Sequence, residues 1–146
     1  MHKYKKSLDL TGYVVIPNFI DIQFVQVLKI EVLNSKNTIS YNDRLGNLRR
    51  IEKFYNKGDK LIELDKKIRK LLKKIYNEEF VIFKDKYNAK PPGGEGFYAH
   101  YDGIFNWVDS NGNNRNGWYE YANFFMNSLV ALDTSNILNG TIQIAN

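Results

Sequence analysis

The residues best suited to carry chemistry are a histidine and an aspartate separated by one residue, His100 and Asp102. In a β-strand, residues i and i+2 point to the same face about 7 Å apart, so such a strand directs an imidazole and a carboxylate into one space. These groups are two of the three ligands in a site of two histidines and one carboxylate, which holds Fe(II) and leaves positions open. The spacing therefore predicts that His100 and Asp102 are metal ligands. It also suits a hydrogen-bonded surface pair without a metal.

The segment before this pair has the composition of two strands joined by a turn. An apolar run precedes Lys90, and a Pro-Pro-Gly-Gly stretch follows it. The residue before a proline is driven toward extended geometry, and Pro-Gly favours a turn. We therefore expect strands at residues 80–90 and 96–102, with both metal ligands on the second of them.

Several motifs occur in the order that they have in one enzyme family. They are Lys90-Pro91-Pro92-Gly93, His100-Tyr101-Asp102, Leu129-Val130-Ala131-Leu132-Asp133 and Asn139-Gly140-Thr141-Ile142, after an opening Gly12-Tyr13-Val14-Val15-Ile16-Pro17. Over nearly its whole length the chain resembles the phytanoyl-CoA dioxygenase (PhyH)-like family of Fe(II)- and 2-oxoglutarate-dependent oxygenases, in their N-terminal portion. The resemblance implies Fe(II) as the metal, 2-oxoglutarate as the cosubstrate and a small organic molecule as the substrate. Because halogenating relatives lack the carboxylate ligand, the presence of Asp102 favours hydroxylation.

The resemblance also implies where 2-oxoglutarate binds. Its distal carboxylate needs a cation, and Lys90 lies where relatives such as ectoine hydroxylase use a lysine near the cosubstrate. Asn88 shares strand parity with Lys90, as do Lys84 and Lys86, and is the second candidate for a cosubstrate contact. The alternative is that these side chains face solvent on the outside of the sheet.

The chain departs from the family pattern after Asp102. Family members carry a second histidine on a later strand, followed by an arginine that binds 2-oxoglutarate. After Asp102 this sequence has no histidine and one arginine, Arg115, and the other histidine of the chain is His2. We therefore expect a truncated or split oxygenase that is inactive alone and is completed by a C-terminal segment or chain. A non-catalytic jelly-roll binding or interaction domain is the alternative.

Length and composition predict one folded domain spanning residues 1–146. The chain is 43% hydrophobic and 14% aromatic, well above a disordered composition. It has no cysteine, which excludes disulfides and thiolate metal sites. No apolar run approaches the ~20 residues of a membrane span, and no signal-peptide core follows the basic start. These features favour a cytoplasmic protein without a membrane partner.

The net charge of +5 raises the hypothesis of a nucleic-acid partner. The densest basic run, residues 66–74, lies opposite apolar residues at helical spacing, such as Leu61, Leu64 and Ile68. A nucleic-acid groove uses more arginine with interleaved aromatic residues. The run therefore indicates the solvated face of an amphipathic helix, and we predict no nucleic-acid partner.

Helices precede strands along the chain. Asp21 is predicted to cap a helix at residues 22–33, and Asp59 is predicted to cap the lysine-rich helix that ends near Asn77. The remaining expected elements are strands at 13–19, 49–55, 117–132 and 140–146, a loop at 35–47, and a polar hairpin connection or lid loop at 109–117.

This order predicts an α+β fold. The family resemblance implies a finer architecture, in which the N-terminal helices pack on an antiparallel double-stranded β-helix, a jelly-roll or cupin-like barrel that is incomplete at the C-terminus.

Overall fold

A computed structural model of the chain describes residues 2–93, 96–118, 122 and 124–144. The architecture is mixed α+β, as the sequence predicted, and the chain divides into two compact units, Met1–Gly94 with Ala131–Asn146 and Glu95–Val130. The first unit contains α1 (His2–Thr11), α2 (Ile22–Asn34), β1 (Ile39–Asn42), β2 (Leu48–Glu52), α3 (Asp59–Tyr76) and β3 (Tyr87–Asn88). The second unit contains β4 (Asn106–Val108) and β5 (Asn114–Asn116).

Helix α2 begins where the sequence predicted because Asp21 caps it. The Asp21 carboxylate accepts a hydrogen bond from the backbone N–H of Phe24 at 2.7 Å. This bond satisfies one of the amides that the first helical turn leaves without a partner. The side chains of Phe24, Leu28 and Val32 lie on the buried face of the helix.

Helix α3 is capped by a side chain from α2, and the prediction that Asp59 caps it is wrong. Its N-cap is Gly58, and Asp59 lies in the first turn. The Glu31 carboxylate instead accepts hydrogen bonds from the backbone N–H groups of Lys60 and Leu61 at 2.9 and 3.0 Å. A Cβ on Gly58 would lie 2.4 Å from the Glu31 carboxylate, so glycine leaves the space that this long-range cap requires.

The core of the first unit lies between the helices and a three-stranded antiparallel sheet of order β1-β2-β3. Ile51 of β2 is buried and is paired in register with Tyr87 of β3, which also packs against the core. Burying one large apolar side chain contributes roughly 1.5–3 kcal/mol, so this cluster is a main source of the unit's stability. The buried cluster consists of Phe24, Leu28, Val32, Ile51, Phe54 and Leu61.

The N-terminal part of the chain differs from the sequence prediction. The basic start forms α1, and Gly12 follows its last residue. Gly12 has φ +76°, and its N–H donates a hydrogen bond to the carbonyl of Leu8 at 2.9 Å. Residues 13–16 follow without strand assignment, although a strand was expected at 13–19. Strand β1 forms inside the expected loop at 35–47. Its own composition does not indicate a strand, but β2 supplies the backbone hydrogen-bond partners that it needs.

The part of the chain that the structure describes contains no closed barrel or jelly roll. Of the strand expected at 80–90 only Tyr87–Asn88 forms, and the described residues of 96–102, 117–132 and 140–146 are irregular or in turns. Residues 119–121, 123, 145 and 146, which belong to two of those expected strands, lie outside the described residues. High strand propensity does not form a strand unless a neighbouring backbone accepts its hydrogen bonds.

The polar stretch at 109–117 contains a hairpin connection, which the sequence favoured over a lid loop, but it joins β4 and β5 and not the expected strands at 96–102 and 117–132. Strands β4 and β5 pair antiparallel, with Trp107 opposite Arg115. The Asp109 carboxylate accepts hydrogen bonds from the backbone N–H groups of Asn111 and Asn113 at 2.9 and 3.0 Å. These bonds hold the tight turn between the two strands.

The β1–β2 turn has the same sequence pattern, Asp-x-x-Gly-Asn, and the same hydrogen bonds. Asp43 accepts from the backbone N–H groups of Leu45 and Asn47, both at 2.9 Å. The glycines of the two turns, Gly46 and Gly112, have φ values of +84° and +82°, a region that disfavours residues with a Cβ. The sequence analysis did not detect this repeated turn.

The lysine-rich face of α3 carries ion pairs within the helix. Glu63 contacts the ammonium groups of Lys60 and Lys67 at 2.7 and 3.0 Å. Such pairs are typical of a solvated helix face. Among the described residues, no helix is long and apolar enough to cross a membrane.

Candidate metal-binding site

The two predicted metal ligands lie close together in the second unit. Nε2 of His100 is 3.3 Å from Oδ1 of Asp102, and the side chains are 59% and 54% exposed. An irregular segment and a turn at 102–103 bring them together, whereas the sequence predicted a strand. Gly103, with φ +86°, adopts the left-handed conformation that this turn requires. Both ligand atoms are therefore adjacent and accessible to an ion from solvent.

The hydrogen bond of the other ring nitrogen fixes the tautomer of His100. Nδ1 lies 2.7 Å from the backbone carbonyl oxygen of Tyr98, and a carbonyl oxygen only accepts, so Nδ1 carries a proton. In the neutral imidazole, Nε2 then has a lone pair that faces Oδ1 of Asp102, which is also an acceptor. Histidines that bind metals commonly donate their other N–H to a carbonyl in this way.

The second oxygen of the Asp102 carboxylate has a different partner. Nδ2 of Asn127 donates a hydrogen bond to Oδ2 of Asp102 at 2.7 Å. The sequence analysis did not identify Asn127, because it lies 25 residues beyond Asp102 and belongs to no motif. The ring of Phe97 meets the His100 ring edge-on, with 6.3 Å between the ring centroids. These partners of the pair, Tyr98, Asn127 and Phe97, all belong to the second unit.

The donor set fits part of an Fe(II) site. One imidazole nitrogen and one carboxylate oxygen match two of the three ligands of a facial triad. Among the residues that the structure describes, no group of three or more His, Cys, Asp or Glu side chains is placed to hold a metal ion. The described side chains thus bring two candidate ligands together, and a facial triad would need a third.

The residues predicted to contact 2-oxoglutarate, Asn88 and Lys90, lie in the first unit. Asn88 is an exposed residue of β3 opposite Arg50 of β2. Lys90 is also exposed, and its ammonium group donates to the backbone carbonyl of Gly140. Lys84 and Lys86 are exposed as well, but so are residues 81–83, so the exposure does not show that these side chains share one face. Binding of 2-oxoglutarate by Asn88 and Lys90 stays a prediction.

Comparisons of the chain with protein-family models, with curated proteins and with solved structures found no match. The resemblance to the PhyH-like family therefore rests on the motifs quoted above. Any function assigned to the chain has to come from those motifs and from the geometry of the pair.

Proposed function

We propose that the chain is part of an Fe(II)- and 2-oxoglutarate-dependent oxygenase of the PhyH-like type, which hydroxylates a small organic substrate. The observation that carries this proposal is the 3.3 Å approach of His100 Nε2 to Asp102 Oδ1. The bond from Nδ1 to the Tyr98 carbonyl supports it, because that bond leaves the Nε2 lone pair for a metal. The order of the family motifs along the chain supports it as well.

In this proposal the chain's own residues bind and orient. His100 presents Nε2 and Asp102 presents Oδ1 to the metal. Lys90 exchanges its neutral acceptor, the Gly140 carbonyl, for the distal carboxylate of 2-oxoglutarate, since hydrogen bonds between two charged groups are stronger. When bound, Fe(II) and 2-oxoglutarate together supply the oxidising chemistry.

The remaining parts of the active site come from a complementing segment or chain in this proposal. The described residues group two ligands rather than three, and the sequence after Asp102 has no histidine. The complementing part therefore supplies the second histidine and the arginine for the cosubstrate. It also supplies the strands that complete a double-stranded β-helix on which the N-terminal helices pack.

A non-catalytic binding domain is the second candidate. It is favoured because no group of three or more candidate ligands lies together in the part of the chain that the structure describes. Both candidates predict metal binding by the pair. They differ in turnover, which separates them in the assay described in the Discussion.

Metal binding is tested by isothermal titration calorimetry with Mn(II), an air-stable substitute for Fe(II). We expect Asp102→Ala to abolish binding, because a neutral imidazole alone is a poor site for a hard cation. His100→Ala should weaken binding by at least about tenfold, since it removes a direct ligand. The matched control is His2→Ala, which removes the other histidine of the chain and should leave the affinity unchanged.

Circular dichroism of each variant shows whether the fold is retained. Equal affinities for wild type and Asp102→Ala would place the bound ion elsewhere on the chain. Loss of binding in His2→Ala alone would likewise contradict the proposed site.

A further inference from the structure

We infer that Asn127 is a positioning residue of the candidate metal site. The inference rests on the proposed metal binding by His100 and Asp102 and adds a third side chain to it. Asn127 acts on the metal through Asp102 and is not itself proposed as a ligand.

The first argument is geometric. A carboxylate has two equivalent oxygens and rotates about the bond that joins it to the side chain. The Nδ2–H of Asn127 holds Oδ2 of Asp102 at 2.7 Å, which leaves Oδ1 directed at Nε2 of His100, 3.3 Å away. Asn127 thus keeps one oxygen occupied and the other turned toward the neighbouring ligand.

The second argument concerns charge. An amide is a neutral donor, so Asn127 orients the Asp102 carboxylate without neutralising it. Asp109 in the same unit shows the opposite arrangement. It accepts from two backbone N–H groups, from the Asn113 amide at 3.2 Å and from the Arg115 guanidinium at 2.9 Å. Its charge is compensated by Arg115 and both its oxygens accept hydrogen bonds, whereas the partners of Asp102 are the neutral Asn127 amide and the His100 ring.

The test compares two substitutions at one position by Mn(II) titration calorimetry. Asn127→Ala removes the donor and should lower the affinity on the order of tenfold, as loss of a residue that orients a metal ligand commonly does. Asn127→Gln keeps an amide N–H donor on a side chain longer by one methylene and should lower the affinity less than Asn127→Ala does. Asn114→Ala, at an exposed asparagine of β5, is the control and should change nothing.

A larger loss of affinity in Asn127→Ala than in Asn127→Gln, with unchanged circular dichroism in both variants, supports the inference, because the loss then follows the amide donor and not the fold. Unchanged affinity in both variants, or an equal loss in both, overturns it. If Asp102→Ala abolishes binding in the same series, the metal site itself stands even when the role of Asn127 does not. If Asp102→Ala leaves binding intact, the proposed function and this inference fail together.

Discussion

Asp85 shows how one side chain orders a backbone segment far away in the sequence. Its carboxylate accepts hydrogen bonds from the consecutive N–H groups of Lys53, Phe54 and Tyr55 at 3.0, 2.6 and 3.0 Å. Lys53 has φ +64°, which is unfavourable for a residue with a Cβ. Three bonds to one carboxylate stabilise that conformation and fix the chain as it leaves β2 toward the buried Phe54.

At this scale we predict that Asp85→Ala lowers the free energy of unfolding of the first unit by about 1–3 kcal/mol. The substitution leaves three backbone donors without their acceptor, one of them at the buried Phe54. Urea unfolding followed by far-UV circular dichroism measures the change. The control is Asp9→Ala, which removes an exposed ion pair with Lys5 and should cost less than about 1 kcal/mol. Equal losses in the two variants would contradict the structural role given to Asp85.

Among the elements, the β4–β5 hairpin depends most directly on one ionised group. The backbone N–H of Asn113 is the largest cause that lowers the pKa of Asp109, to about 2, and Arg115, the Asn113 side chain and the Asn111 N–H add to it. The equivalent bond from Asn47 lowers the pKa of Asp43 in the β1–β2 turn. The ionised carboxylate is therefore the form that both turns stabilise.

For an aspartate whose pKa is lower in the folded state, the stabilisation is complete above the unfolded pKa of about 3.9 and is lost as the pH falls toward the folded value. We therefore predict that the β4–β5 hairpin loosens between pH 4 and pH 2. Titration of the Asp109 carboxyl by NMR, with the amide shifts of Asn111 and Asn113, measures this transition. Asp109→Asn should remove the pH dependence from those two amides and leave that of the Asp43 turn. An Asp109 pKa near 4 would show that the turn does not select the charged form.

At the scale of the whole molecule, the first unit exposes apolar residues beside its core. On α2 the side chains of Ile22, Val27, Ile30 and Leu33 are 69%, 42%, 59% and 47% exposed. A helix with apolar residues on most of its circumference is usually buried. This surface is compatible with the proposal that a further segment or chain completes the protein.

We predict that the purified 146-residue chain does not convert 2-oxoglutarate to succinate, because in the proposed site two protein ligands would hold the metal loosely and Lys90 would be the one cation for the cosubstrate. The assay is succinate release with Fe(II) and ascorbate. Activity should return when a C-terminal segment with the second histidine and the arginine is supplied, and Asp102→Ala should abolish the restored activity. Metal-dependent release by the chain alone, lost in His100→Ala, would contradict the two-part site. No release even in the complemented protein would favour the non-catalytic binding domain.

The sequence by itself predicted the features that depend on neighbouring residues. The cap at Asp21 and the turn after Asp109 follow from hydrogen bonds within five residues, which composition and spacing reveal. The sequence also predicted that the side chains of His100 and Asp102 lie close together, although a turn and not a strand brings them together.

Only the tertiary structure decided the features that join distant segments. Glu31, which caps α3, lies 29 residues before its partner Lys60. Asp85 accepts a hydrogen bond from the N–H of Phe54, 31 residues earlier, and Asn127 donates one to Asp102, 25 residues earlier. The strands expected after residue 80 also depend on distant partners, and in the described residues only Tyr87–Asn88 of them forms. The physical reason is that a carboxylate accepts from any suitably placed N–H, and a strand forms only beside another strand. Which segments become neighbours is settled by how the whole chain packs.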